Sequence, residues 1–180
     1  ISILAANSPN WTITDAACQI SGVIDVPIYT TLTPDSIEYI IKDSEAKVFF
    51  LQDLATYKRI EEIIPNCPNL EKIIFFQGET SEIEKAISLE KLEEIGAKLK
   101  VEKPNLAVEL RKEVKPSDVA TLIYTSGTTG EPKGVMLSHT NLVSNAEYAG
   151  KDFTFTKADK PLSVLPLSHV FERTGMNLYI

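Results

Sequence analysis

The stretch Tyr124-Thr125-Ser126-Gly127-Thr128-Thr129-Gly130-Glu131-Pro132-Lys133-Gly134, continued by Val135-Met136-Leu137, decides how the chain is read. Gly127 and Gly130 allow the backbone to turn with positive φ and let a ligand approach the main chain closely. Thr125, Ser126, Thr128 and Thr129 supply hydroxyls that can donate to anionic oxygens while backbone N–H groups converge on the same ligand. Lys133 adds a positive charge on a long, mobile stem. These are the ingredients of a loop that holds phosphate.

The Walker loop, G-x-x-x-x-G-K-[ST], has similar ingredients and is rejected by spacing. Counting from Gly127, the second glycine position is occupied by Pro132, and Lys133 is followed by Gly134 instead of Ser or Thr. A Walker loop also opens directly into a helix, whereas Val135-Met136-Leu137 has strand character. The expected arrangement is therefore strand, loop, strand, with Val119 to Tyr124 entering the loop. A turn rich in Gly, Ser and Thr that binds nothing is the plain alternative, and the Pro-Lys-Gly exit between strand-like flanks weighs against it.

Upstream, strand and helix signals alternate. Ile1 to Ala5 reads as a buried strand; Asn7-Ser8-Pro9 caps a helix that continues from Trp11 to Ser21 and ends at Gly22. Val23 to Ile28 is strand-like. Thr33 and Pro34 then open a helix on which Ile37, Ile40 and Ile41 recur at helical spacing, before the strand Lys47 to Leu51. A third unit runs from a helix over Leu54 to Ile64, stopping before Pro65, into the strand Lys72 to Phe76. Such βαβ units predict an α/β fold whose parallel-type sheet is covered by helices on both faces.

From Glu79 to Lys115 the composition turns to Glu, Lys and Leu, and Leu89, Leu92 and Ile95 mark one amphipathic helix on a solvated surface with no assigned chemistry. Pro104, Pro116 and the capping pair Ser117-Asp118 suggest a boundary, dividing a first, partial subdomain over 1–115 from the start of a second over 116–180. Beyond the loop, Ser138-His139-Thr140-Asn141 begins a helix expected to reach Ala149 and end at Gly150, and Pro161 to Leu165 reads as a last strand.

A second constellation, Leu165-Pro166-Leu167-Ser168-His169-Val170-Phe171-Glu172-Arg173, sits where that strand hands over to a helix, and ligands of α/β sheets gather at the carboxyl ends of strands. Taken alone, His169 reads first as a capping or core residue; His169-x-x-Glu172 lacks the second histidine of a zinc site. Ser126 lacks the G-x-S-x-G elbow of a nucleophile, and neither His139 nor His169 lies in a context that marks it as its base.

Composition sets outer bounds. Of 180 residues, 43% are hydrophobic and 24% charged, as in a globular chain able to bury a sizeable core. A net charge of −7 with no basic stripe argues against nucleic acid as a partner, while one local loop can still hold a small anion. Cys18 and Cys67 have neither metal spacing nor a disulfide framework and read as buried thiols in a reducing, cytoplasmic compartment. No apolar run approaches the roughly 18 residues of a membrane-spanning helix. The apolar ends, Ile1 to Ala6 and Met176 to Ile180, suggest a piece of a longer protein.

The loop string resembles the signature of the adenylate-forming superfamily, the acyl-CoA synthetases, peptide-synthetase adenylation domains and luciferases: [YF]-[TS]-[SG]-G-[TS]-T-G-x-P-K-G-V, with Glu131 at the variable position. Pro166, His169 and Phe171 are similar to a second family segment, P-[LMF]-x-H-x-[FY], and L-P-L-S-H-x-F-E-R together with Val26 to Thr33 looks like long-chain fatty acyl-CoA synthetases in particular. The resemblance implies part of a large N-terminal domain. It implies an enzyme that joins a fatty acid to ATP as acyl-AMP with release of pyrophosphate, then passes the acyl group to coenzyme A. It also implies that Thr125, Ser126, Gly127, Thr128, Thr129, Gly130 and Lys133 hold the triphosphate, that Thr125 lies near Mg²⁺, and that His169 lies against the acyl-adenylate, with Lys133 and His169 as the catalytic pair. The family's adenine contacts, magnesium-binding glutamate, hinge and C-terminal lysine lie beyond Ile180, so the 180 residues alone are expected to be inactive. An aryl-CoA ligase, an amino-acid adenylation domain and a non-catalytic α/β module remain the alternatives, and peripheral membrane contact of the whole protein stays open.

Overall fold

The computed structural model describes residues 1–80, 83–125, 131–152, 156, 158–160 and 162–179. The first half is a run of strand–helix units: β1 (Ser2–Leu4), α1 (Pro9–Ser21), β2 (Val26–Pro27), α2 (Pro34–Asp43), β3 (Val48–Leu51), α3 (Leu54–Lys58), a 3-10 helix (Glu61–Asn66) and β4 (Lys72–Phe75). β5 (Ala86–Ser88), α4 (Leu89–Glu102) and α5 (Leu106–Glu113) follow, then β6 (Val119–Thr125), β7 (Lys133–Ser138), α6 (His139–Asp152) and α7 (Val170–Tyr179). β1 to β5 form one sheet in the order β2-β1-β3-β4-β5, and every pairing in it is parallel.

The period-two geometry of strands turns apolar side chains toward both faces of this sheet. Phe49 and Leu51 of β3 and Ile73 and Phe75 of β4 face one cluster, which Ile37, Ile40 and Ile41 of α2 complete. Ile3, Phe50 and Ile74 face the other, closed by Trp11 of α1. The helix signals hold at both anchors. Ser8 accepts from the Trp11 amide with Pro9 in the first turn, and Gly22 ends α1 in the left-handed region at φ 72. Thr33 caps α2, accepting from the Ser36 amide.

β6 and β7 make an antiparallel hairpin, as expected for strand, loop, strand. It does not stand apart. A parallel bridge pairs Asp25 with Thr121, and the Leu122 amide donates to the Asp25 carbonyl at 3.0 Å, so β6 runs beside the β2 edge of the sheet.

Several expectations are corrected. The helix over Leu54 to Ile64 is two pieces, with Pro65 inside the second; the break lets Ile60 and Ile63, three apart on a 3-10 turn, both reach the core. β5 and α5 were hidden in the charged stretch. Their side chains are at most half-buried, so the periodic apolar signal is weak. α6 runs through Gly150 to Asp152, and the reciprocal bonds between Ser138 and Asn141 fix its start. Residues 162–165 are not a strand: Leu162 and Val164 are 84% and 70% exposed. One side chain does there what a ladder would have done. Asn7 donates to the Leu165 carbonyl at 2.8 Å and to the Ser163 hydroxyl at 3.1 Å, and its Oδ1 accepts from the Leu167 amide at 2.8 Å. Pro161 lies outside the described residues.

Candidate functional site

The hairpin register brings Thr125 and Lys133 directly opposite one another, as the last pair before the loop. Both are exposed. A hydroxyl and an ammonium thus flank the mouth from which 126–130 emerge; Ser126, Gly127, Thr128, Thr129 and Gly130 themselves lie outside the described residues. One pair further in, Tyr124 faces Gly134. A Cβ at Gly134 would sit 3.0 Å from Tyr124 Cζ, so the hydroxyl end of the ring packs against bare backbone. Its hydroxyl donates to Asp43 Oδ2 of α2 at 2.6 Å. Burial, and then that bond to a carboxylate, push the phenol's pKa up, so Tyr124 stays a donor. The mouth is therefore tied to the core, where Tyr124 packs with the α2 cluster.

His169 is held elsewhere, over the carboxyl end of the parallel sheet. In the order β2-β1-β3-β4-β5 the connections reverse between β1 and β3, and the crevice at such a switch point is where α/β folds take ligands. Here Asn7, just past β1, clamps residues 163–167 and so delivers Ser168 and His169 to that edge. His169 packs edge-on against Tyr29, just past β2, with ring centroids 6.5 Å apart at 71°. Its Nδ1 accepts from the Phe171 amide at 3.2 Å, an arrangement in which the ring's proton sits on Nε2.

A buried polar cluster went unread in the sequence. Arg173, 1% exposed on α7, donates through Nε and Nη2 to Asp15 of α1, through Nη2 to Asp25 Oδ1 at 3.0 Å, and through Nη1 to the Thr121 hydroxyl at 2.8 Å. Burial raises the Asp25 carboxyl to about 6; Arg173 opposes the shift and neighbouring Asp15 adds to it. One signal was available. Asp15 shares the helical face of Trp11 and Cys18, a carboxylate on an apolar stripe that requires a buried partner.

A groove of about 570 Å³ between α1 and α6 is walled by Trp11, Ile20, Leu142, Val143 and Met176 and reaches Arg173. Neither Thr125, Lys133 nor His169 lines it. Cys18 and Cys67 are buried free thiols, and burial raises Cys18 to about 12, which removes it as a nucleophile. Among the described residues no group of three or more His, Cys, Asp or Glu side chains is placed to hold a metal ion, and no helix is long and apolar enough to cross a membrane.

A parallel sheet with helices on both faces, a Thr/Lys-flanked hairpin and a histidine segment at the sheet's carboxyl edge define an α/β domain of the adenylate-forming kind. Over residues 1–180 the chain matches the family described as AMP-binding enzyme, and it belongs to that family. It is similar to Long chain acyl-CoA synthetase 4 of Arabidopsis thaliana, 35% identical over 192 residues that cover 99% of this chain and 28% of that protein. The fold matches a long-chain-fatty-acid-CoA ligase from Archaeoglobus fulgidus with a TM-score of 0.72 at 24% identity, covering 99% of this chain and 33% of that one. ATP-bound MatB from Rhodopseudomonas palustris matches with a TM-score of 0.69 at 22% identity, covering 98% and 32%. The chain thus spans 28% of the length of the plant relative.

Proposed function

We propose that the whole protein carrying this chain is an ATP-dependent, AMP-forming long-chain fatty acid–CoA ligase. The observation that carries the proposal is the pairing of Thr125 with Lys133 at the mouth of a loop built from glycines and hydroxyls. In the first step a fatty carboxylate attacks the α-phosphorus of ATP; the bond to the β-phosphate breaks and pyrophosphate leaves. Negative charge grows on the transferring and departing groups, and donors fixed beforehand stabilise it more than mobile water would. Thr125, Ser126, Gly127, Thr128, Thr129 and Gly130 would hold the triphosphate through hydroxyls and backbone N–H groups. Lys133 follows the departing charge on its flexible stem. His169 would offer its Nε2 proton to the acyl-adenylate. In the second step the thiol of coenzyme A attacks the acyl carbonyl and AMP leaves.

The exposed Thr125 hydroxyl is the oxygen that this mouth would offer to a divalent cation bound with the triphosphate. When bound, Mg²⁺ would neutralise phosphate charge. The division into 1–115 and 116–180 belongs to the same proposal, as does a reducing, cytoplasmic compartment, which the two buried free thiols support.

The test is fatty-acid-dependent exchange of labelled pyrophosphate into ATP by the whole protein and its Lys133→Ala variant. Exchange by the wild type that falls at least about a hundredfold in the folded variant is expected, the scale of losing one donor to a developing charge. Equal exchange by both would refute the assignment of the loop.

A further inference from the structure

Side chains from three segments converge on the guanidinium that α7 carries. Arg173 on α7 reaches Asp15 on α1, Asp25 before β2 and Thr121 on β6, while the Thr121 hydroxyl donates onward to the Asp25 carbonyl at 3.0 Å. Trp11 lies 6.0 Å beneath the guanidinium. One positive charge against two carboxylates, all removed from water, is a poor way to stabilise a fold. Apolar side chains of similar volume commonly do as well, because desolvation offsets the Coulombic gain. What such a cluster does supply is geometry, since the rigid fork of Arg accepts few arrangements of its partners.

That geometry lies between the two halves of the proposed site. The Arg173 amide donates to the His169 carbonyl at 3.2 Å, so the residue that carries the fork also closes the turn by which His169 leads into α7. On β6 the two-residue period places Thr121 on the same face as Thr125 at the loop mouth. A small rotation of α7 would swing His169 off Tyr29 and break the fork at Thr121 together.

We propose that Arg173 is a positioning residue for adenylation, holding the His169 turn in register with the strand that presents the phosphate loop. The inference rests on the function proposed above. It is tested in the whole protein by fatty-acid-dependent pyrophosphate exchange, with kcat and the KM for ATP measured for Arg173→Lys, Thr121→Val and Thr121→Ser, and folding followed by circular dichroism and melting temperature. Arg173→Lys keeps the charge and loses the fork. Thr121→Val keeps the shape and loses the hydroxyl, and Thr121→Ser keeps the hydroxyl. For folded Arg173→Lys and Thr121→Val, kcat falls at least about tenfold while the KM for ATP stays within about threefold, as for a misplacement felt in the transition state. Thr121→Ser keeps kcat within about threefold of wild type.

Should Arg173→Lys fail to fold, Thr121→Val decides. A folded Thr121→Val with wild-type kcat overturns the proposal, as does a Thr121→Ser as slow as Thr121→Val, or a Thr121→Val that cannot fold, which would leave the cluster a purely structural role. Exchange by the wild type with unaffected variants overturns this inference alone; no exchange by the wild type overturns the proposed function and this inference with it.

Discussion

Adding one methyl group at Gly134 tests how the loop mouth is anchored. The new Cβ would meet Tyr124 Cζ at 3.0 Å, Oη at 3.2 Å and Cε2 at 3.3 Å, so the ring must move by several tenths of an ångström. It is not free to do so, because its hydroxyl is bonded to Asp43 at 2.6 Å and its ring packs in the α2 cluster. Overpacking a fixed side chain costs about 1–3 kcal/mol. A hydrogen bond to a charged group contributes about 1.5–3 kcal/mol. Gly134→Ala should therefore destabilise by about 1–3 kcal/mol, and Tyr124→Phe by a similar amount. Their combination should cost less than the sum by at least about 1 kcal/mol, since a ring without the hydroxyl has no bond to lose when it shifts. Urea midpoints of wild type, both single variants and the double variant, taken for the transition that includes this domain, give the coupling directly. Additivity to within about 0.5 kcal/mol would refute the claim that the phenol's bond pins the ring against Gly134.

Three further outcomes are expected. Asp25 ionises near 6 in the fold, above its ordinary 3.8, so between those values the folded protein holds a proton that the unfolded chain has released, and the stability Asp25 contributes is lost as pH rises through that window. Asp25→Asn should therefore gain on wild type by on the order of 1–3 kcal/mol between about pH 4 and pH 6; parallel stability profiles would contradict this. Glu45 is exposed and left-handed at φ 52 after α2, so Glu45→Gly should raise stability by about 0.5–1 kcal/mol, and a lowered urea midpoint would count against it. Asn7→Ala removes the clamp on 163–167 and should speed proteolysis at Val164 and Leu165; an unchanged cleavage rate would show that the clamp holds nothing.

The parts of this fold that could be read from sequence are those set by local rules. Ser8-Pro9, Gly22 and Thr33-Pro34 marked helix ends because capping chemistry is confined to a few residues. Buried strands such as Val48–Leu51 and Lys72–Phe75 announced themselves as apolar runs. The hairpin followed from Val135-Met136-Leu137 after the loop. Long-range partnerships were not legible. Asp15 and Arg173 are 158 positions apart, and nothing local to either shows that they meet. Residues 162–165 misled because exposed Leu162 and Val164 look like a buried strand until Asn7, from the opposite end of the chain, is seen to hold the segment. Of the proposed site, Thr125 and Lys133 were named by motif and are paired by register, while the Tyr124–Asp43 bond behind them required the packed fold.

The most direct test is a crystal structure of the whole protein with a non-hydrolysable ATP analogue. Phosphate oxygens within hydrogen-bonding distance of Thr125 Oγ1 and Lys133 Nζ, with the loop 126–130 wrapped about the triphosphate, are the predicted result. A triphosphate bound away from the β6–β7 hairpin, with that mouth touching only solvent, would contradict it.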